Sequence, residues 1–210
     1  MKLLLTSSGI DNRSIAAALQ ELTGKTPGET KVGFVPIAIN AEPGNKDWVI
    51  NQFMKLWRFG YSFIDIIDPS AAGVDWQVRL EACDVIFISG GNTFHLLDQA
   101  RKTGFDKWIN AHRAKVFVGS SAGTILFTPN IGIAAADYGD ENYAGITDLT
   151  ALGWVDFEVA PHYEQQLQDV LGKYASKIKT DLYAIDDQTA IKVDGEKVEV
   201  TGEGFWKLFE

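Results

Sequence analysis

Five short, almost unbroken apolar runs punctuate the first 120 residues: KLLLTS (2–7), KVGFVP (31–36), SFIDII (62–67), DVIFIS (84–89) and KVFVG (115–119). Each is too short for a helix that buries itself and too uniformly apolar for a strand with one wet face, so each reads as a strand covered on both sides. Residues 14–22, 48–57, 93–102 and 106–112 carry apolar side chains at helical spacing, such as Val49, Ile50, Phe53, Leu56 and Trp57. Strands that alternate with amphipathic helices predict a mostly parallel sheet with a helical layer on each face, a three-layer α/β/α architecture. The same reading makes Trp48, Phe53 and Trp57 core residues.

The pattern changes after residue 127, where TPNIGIAAADYGDENYAGITDLTALG is small, acidic and without a period. A loop of that length inside a compact fold is commonly functional. A strand is predicted at 155–160, then a helix that gathers Leu167, Val170, Leu171, Tyr174 and Ile178 on one face. Alternating runs around Asp194-Gly195 predict a hairpin, hence an antiparallel C-terminal extension of the sheet.

Composition narrows the function. With 210 residues the chain is expected to form one α/β domain, 1–210, and 46% hydrophobic with 22% charged residues is the balance of a globular protein. A net charge of −9 without clustered Lys and Arg argues against nucleic acid. The apolar run at Leu3, Leu4 and Leu5 is too short for a signal peptide or a membrane span. One cysteine, Cys83, precludes an internal disulfide and a cysteine-rich metal site, which suits a cytoplasmic protein; beside a buried strand it is expected to pack in the core. Short peptides or amino-acid-derived molecules are the expected ligands, with no metal or other cofactor and a monomer or homodimer as the assembly.

Three strand ends carry the candidate chemistry. KVFVG runs into Gly119-Ser120-Ser121-Ala122-Gly123 and then a predicted helix start, the strand–turn–helix setting of a nucleophile elbow. The Gly-x-Ser-x-Gly frame sets Ser121 at the apex and Ser120 beside it. A serine needs a base, and the chain has three histidines. His112 belongs near the end of a surface helix as a capping or solvated residue, and His95 lies one turn into a helix. His162, in VAPHYEQ, follows the carboxyl end of a strand, where open sheets bind ligands, and is preferred. In ISGGNTFHLL a glycine pair precedes a helix, so Gly90 or Gly91 could supply an oxyanion donor beside the N–H of Ala122.

ISGGNTFHLL, VGSSAGTILF and APHY together resemble the peptidase E (α-aspartyl dipeptidase) and cyanophycinase group of serine peptidases, over nearly the whole chain. The resemblance implies a fold like the class I glutamine amidotransferases (flavodoxin-like), with serine in place of their elbow cysteine. It implies peptide hydrolysis without metal by a Ser-His-acid triad and an acyl-enzyme. Carried over, Ser121 is the nucleophile, His162 the base, Gly91 and Ala122 the oxyanion hole, and Asn92, Gly90, Ser120 and Tyr163 the substrate contacts. Counting back from His162 brings Asp140 onto the family's aspartate, with Asp137 and Glu141 as competitors. The family's substrate-binding arginine after the histidine is missing from PHYEQQLQDVLGKYASK, so Lys173, Lys177 or a distant residue would have to receive a substrate carboxylate. Strict Asp-X specificity is therefore not expected. A non-catalytic binding protein and an esterase-like hydrolase are the rival readings.

Overall fold

The structure is a computed structural model, and it describes residues 1–136 and 139–210. The five predicted strands form as β1 (Lys2–Thr6), β2 (Lys31–Val35), β3 (Phe63–Ile66), β4 (Val85–Ile88) and β5 (Val116–Ser120). They pair in parallel in the order β3-β2-β4-β5-β1, with Leu4 opposite Val118 and Ile88 opposite Gly119. The sheet continues past β1 through the antiparallel β8 (Thr189–Asp194) and β9 (Lys197–Gly202), the hairpin that Asp194-Gly195 forecast; Gly195 turns it at φ 64°.

Successive side chains along a strand point to opposite faces. Leu4, Val32, Phe34, Val85, Phe87 and Val118 therefore face the layer of α1 (Arg13–Thr23) and α2 (Asp47–Arg58). Leu3, Leu5, Ile86, Ile88 and Phe117 face the other layer, formed by α3 (Trp76–Glu81), α4 (Thr93–Thr103), α5 (Phe105–Ala111) and α6 (Ala122–Ile125). The predicted three-layer α/β/α fold results.

Four local expectations are corrected. Strand β3, at the sheet edge, is not covered on both sides: Phe63 and Ile66 are exposed. The face of α2 that enters the core is Val49, Gln52 and Leu56, while Ile50 and Trp57 are exposed; of the three aromatics, Phe53 packs on Phe34 at 4.4 Å but Trp48 lines a cavity. The period was right and its phase was not, because a polar residue, Gln52, occupies a core-facing position for a reason the periodicity does not carry. The irregular stretch after 127 contains a short helix, α7 (Gly132–Ala136), whose first turn is closed by Asn130 Oδ1 accepting from the Gly132 N–H at 2.7 Å.

The strand expected at 155–160 shortens to β6 (Glu158–Ala160). It does not join the main sheet but pairs with β7 (Leu182–Ile185), which in turn pairs with β10 (Trp206–Phe209). The edge of β1 that a further parallel strand would need is taken by β8. Helix α8 (Gln168–Ala175) lies between β6 and β7 in the chain, and among the described residues no helix is long and apolar enough to cross a membrane.

Candidate active site

Strand β5 delivers its last residues to the carboxyl edge of the sheet, where the backbone turns sharply. Ser121 adopts φ 50°, ψ −112°, a region costly for a residue with a Cβ, of order 1–3 kcal/mol. The flanking glycines explain how the turn is tolerated. A Cβ at position 119 would sit 2.6 Å from the Gly123 carbonyl oxygen, and one at position 123 would sit 2.1 Å from that of Ile88. The Ser121 N–H donates to Thr6 O at 3.1 Å, which pins the apex to the end of β1.

His162 follows β6 through Pro161 and also has a positive φ, 55°. The Ser121 hydroxyl lies 3.0 Å from its Nε2. On the other side of the ring, Nδ1 lies 2.7 Å from Asp187 Oδ1. An ionised carboxylate only accepts, so this contact sets the proton on Nδ1 and leaves the Nε2 lone pair for the serine hydroxyl. Asp187 is held ionised: the hydrogen bond from His162 first, then those from Ser7 and Ser8, bring its carboxyl down to about 2 against the opposing effect of burial.

The carboxylate that meets His162 is thus one the sequence reading did not name. The Asp140 carboxylate accepts the Thr93 N–H at 2.8 Å, at the start of α4, and faces the cavity from that side. Glu141 is exposed, its carbonyl accepting from Asn92 Nδ2 at 3.0 Å, and Asp137 lies outside the described residues. Chain order was the misleading assumption: the residues that meet run Ser121, His162, Asp187. A usable signal was present in LYAIDDQT, where an apolar strand ends in two aspartates. Asp186 closes the turn by accepting from Gln188 N, Thr189 Oγ1 and Phe205 N, while Asp187 turns to His162.

Ser7 was also missed. It is fully buried at the end of β1, donates its hydroxyl to Asp187 Oδ1 at 2.7 Å and accepts the His162 N–H at 2.7 Å. One hydroxyl thereby fixes both the acid and the backbone of the base. Gln52 accounts for its core position in the same way: its Nε2 donates to Ser120 Oγ at 2.9 Å and its Oε1 accepts from Ser89 Oγ at 3.2 Å. This amide ties α2 to the ends of β4 and β5.

The remaining candidates divide. Gly90, Gly91 and Ser120 line one cavity of about 470 Å³ together with Ser121 and His162. Gly91, at φ 127°, could not carry a side chain, because a Cβ would fall 2.3 Å from Ala38 O. Ala122 opens α6, so its N–H has no partner one turn earlier and is available at the apex. Asn92 is buried as the cap of α4, with Oδ1 accepting from His95 N at 2.8 Å. Tyr163 is a core residue, 5.6 Å from the Phe205 ring, and is not among the residues lining the cavity.

His112 caps α5 and stacks on Trp108, and Cys83 is buried beneath β2, where desolvation raises its thiol. Lys173 and Lys177 are not among the cavity-lining residues; Lys55 of α2 is. The wall also includes Ser8, Glu42, Trp48 and Asn51, and Lys55 forms an ion pair with Asp11.

The arrangement can polarise a serine hydroxyl through an imidazole oriented by a carboxylate, beside backbone N–H groups and a cavity of about 470 Å³. Known proteins resemble the chain along most of its length. The model of Peptidase family S51 matches residues 3–201. An uncharacterized peptidase of Pasteurella multocida, PM1590, is 33% identical over 67% of this chain and 71% of its own. Peptidase E of Streptomyces coelicolor is 25% identical over 99% of this chain and 86% of its own. The crystal structure of a candidate peptidase E from Listeria monocytogenes EGD-e superposes with a TM-score of 0.82 at 27% identity, covering 97% of this chain and 98% of that one.

Proposed function

Since this chain belongs to peptidase family S51 and is a serine-type peptidase, we propose that it hydrolyses short peptides through an acyl-enzyme formed on Ser121, with His162 as base and Asp187 as the acid. The observation that carries this reading is the continuous line from Ser121 Oγ through His162 Nε2 and Nδ1 to Asp187 Oδ1, at 3.0 and 2.7 Å, starting from a serine in a strained elbow.

Ser121 Oγ attacks the scissile carbonyl carbon while its proton passes to His162 Nε2. The resulting imidazolium is stabilised by Asp187, which keeps its negative charge throughout. The N–H groups of Gly91 and Ala122 receive the oxyanion. Collapse breaks the C–N bond, and His162 returns the proton to the leaving nitrogen. Water then enters, gives its proton to His162 and attacks the acyl carbon; the bond from that carbon to Ser121 Oγ breaks, His162 returns the proton to Oγ, and the acid leaves. Among the described residues lining the cavity none carries a guanidinium, which supports a substrate range wider than Asp-X.

Labelling with a fluorophosphonate tests the nucleophile. Ser121→Ala should abolish both labelling and peptide hydrolysis, whereas Ser120→Ala should keep labelling, since Ser120 Oγ is engaged by Gln52. Labelling that survives Ser121→Ala would overturn the assignment.

A further inference from the structure

We propose that the cavity is charge-polarised so as to hold both ends of a zwitterionic dipeptide, with Glu42 and Asp140 receiving the α-ammonium of the acyl residue and Lys55 receiving the carboxylate of the leaving residue. The bond that is cut rests on the function proposed above; the way the ligand lies does not.

Sheet order sets the two poles on opposite flanks of Ser121. Along the carboxyl edge the order is β2, β4, β5, β1, β8. Glu42 follows β2, and Asp140 is bonded to Thr93 just beyond the glycine pair after β4, so both carboxylates lie on the β2–β4 side of the nucleophile. Asp11 follows β1 and Asp187 precedes β8, so Lys55, ion-paired with Asp11, lies on the other side.

Helix α2 crosses between them. At its start Lys46 Nζ donates to Glu42 O at 2.6 Å, and nine residues later Lys55 meets Asp11. Trp48 and Lys55, two turns apart, both face the cavity, which gives its wall a length of about 10 Å at 1.5 Å per residue. An extended dipeptide spans about 7 Å and a tripeptide about 10 Å, so the spacing admits two or three residues and no long chain in this orientation.

Each pole lacks something that a substrate end supplies. Burial and then the neighbouring Asp140 raise the Glu42 carboxyl, with Lys46 opposing, and a substrate ammonium would relieve that repulsion. The Lys46 ammonium is itself occupied by the Glu42 and Gly44 carbonyls. At the other pole, burial lowers the Lys55 ammonium, and Asp187 acts against that shift. Asp11, held also by the Gln188 amide, fixes one direction of an ammonium that has three donors.

The catalytic geometry gives the polarity its sense. The leaving nitrogen must face His162, so the leaving residue extends toward the Lys55 flank and the acyl residue toward Glu42 and Asp140.

The experiment uses Ala-Leu and Asp-Leu, each free, N-acetylated and C-amidated, with kcat/KM for the wild-type protein and calorimetric affinity for Ser121→Ala. Acetylation and amidation should each cost about ten- to a hundredfold, the worth of one charge-assisted contact. Glu42→Gln should lower values for the free dipeptide while adding little to the acetylated one, and Lys55→Met should do the same for the free against the amidated form. Capped peptides handled within about twofold of the free ones, or variants that penalise capped and free peptides alike, would overturn the proposal. If the wild type cleaves none of the peptides, the hydrolytic reading fails alone, because the affinities for Ser121→Ala still decide the polarity. If no free dipeptide binds Ser121→Ala, the polarity proposal fails.

Discussion

Replacing Asp187 by Asn tests the reasoning where it departs most from the sequence. In the proposed mechanism His162 becomes an imidazolium in the transition state, with its charge centre about 4 Å from that of the carboxylate. At an effective dielectric constant of about 20 this attraction is about 4 kcal/mol. The pair is partly exposed, His162 at 40% and Asp187 at 53%, so the interior value of the dielectric constant does not apply. About 4 kcal/mol is about a thousandfold in rate, and an amide that offers its N–H to Nδ1 would favour the wrong tautomer and push the loss toward ten-thousandfold.

Asp140→Asn removes a carboxylate from the start of α4, worth about 0.3–1 kcal/mol, and one member of the ammonium pole. Its kcat should stay within about fivefold, with the loss appearing in KM. The assay is the second-order rate of fluorophosphonate labelling together with kcat and KM on a cleaved dipeptide. The reasoning is refuted if Asp187→Asn labels within about tenfold of wild type, or if Asp140→Asn loses about a thousandfold in kcat.

Ser7→Ala should lower kcat about tenfold and leave KM nearly unchanged, since it releases Asp187 and the His162 backbone without touching the cavity's charged poles; Ser7→Thr should recover part of the loss. Gly91→Ala should abolish labelling or soluble expression, because the added methyl falls 2.3 Å from Ala38 O at a positive φ; retained activity within about tenfold would remove Gly91 from the oxyanion site. Tyr61 is fully buried with no hydrogen-bond partner for its hydroxyl among the described residues, and desolvation pushes its phenol up to about 12.

A phenol raised in the folded state stabilises below its unfolded value near 10 and loses that contribution as the pH rises. Unfolding should therefore ease by up to about 3 kcal/mol between pH 10 and 12. Tyr61→Phe should flatten that limb and leave stability at pH 8 equal or higher, as read from urea midpoints; an unchanged alkaline limb would show that Tyr61 does not set it.

Much of the site was legible because it is local. The elbow needs only a strand, two glycines and a helix start in one stretch, so VGSSAG pointed to Ser121, and ISGG and APHY pointed to the Gly90-Gly91 pair and to His162 by the same strand-end logic, all of which line one cavity. Burial of both faces of β1, β2, β4 and β5 likewise follows from their unbroken apolar runs, and with it the layered fold. What the pattern could not carry was the pairing of distant strand ends. Asp187 is 25 residues beyond His162 and 66 beyond Ser121, and reaches them because β8 runs antiparallel beside β1, bringing its first residue to the edge where β5 ends.

The same holds for Ser7, Gln52 and Lys55. Nothing in TSSG or in the α2 sequence distinguishes them from turn, core and surface residues, since their roles come from neighbours 37 to 180 positions away. Residue type and spacing determined that this chain would be an α/β protein with a serine at an elbow. Strand order, a property of the whole sheet, decided which acid the histidine meets and which charges face the nucleophile.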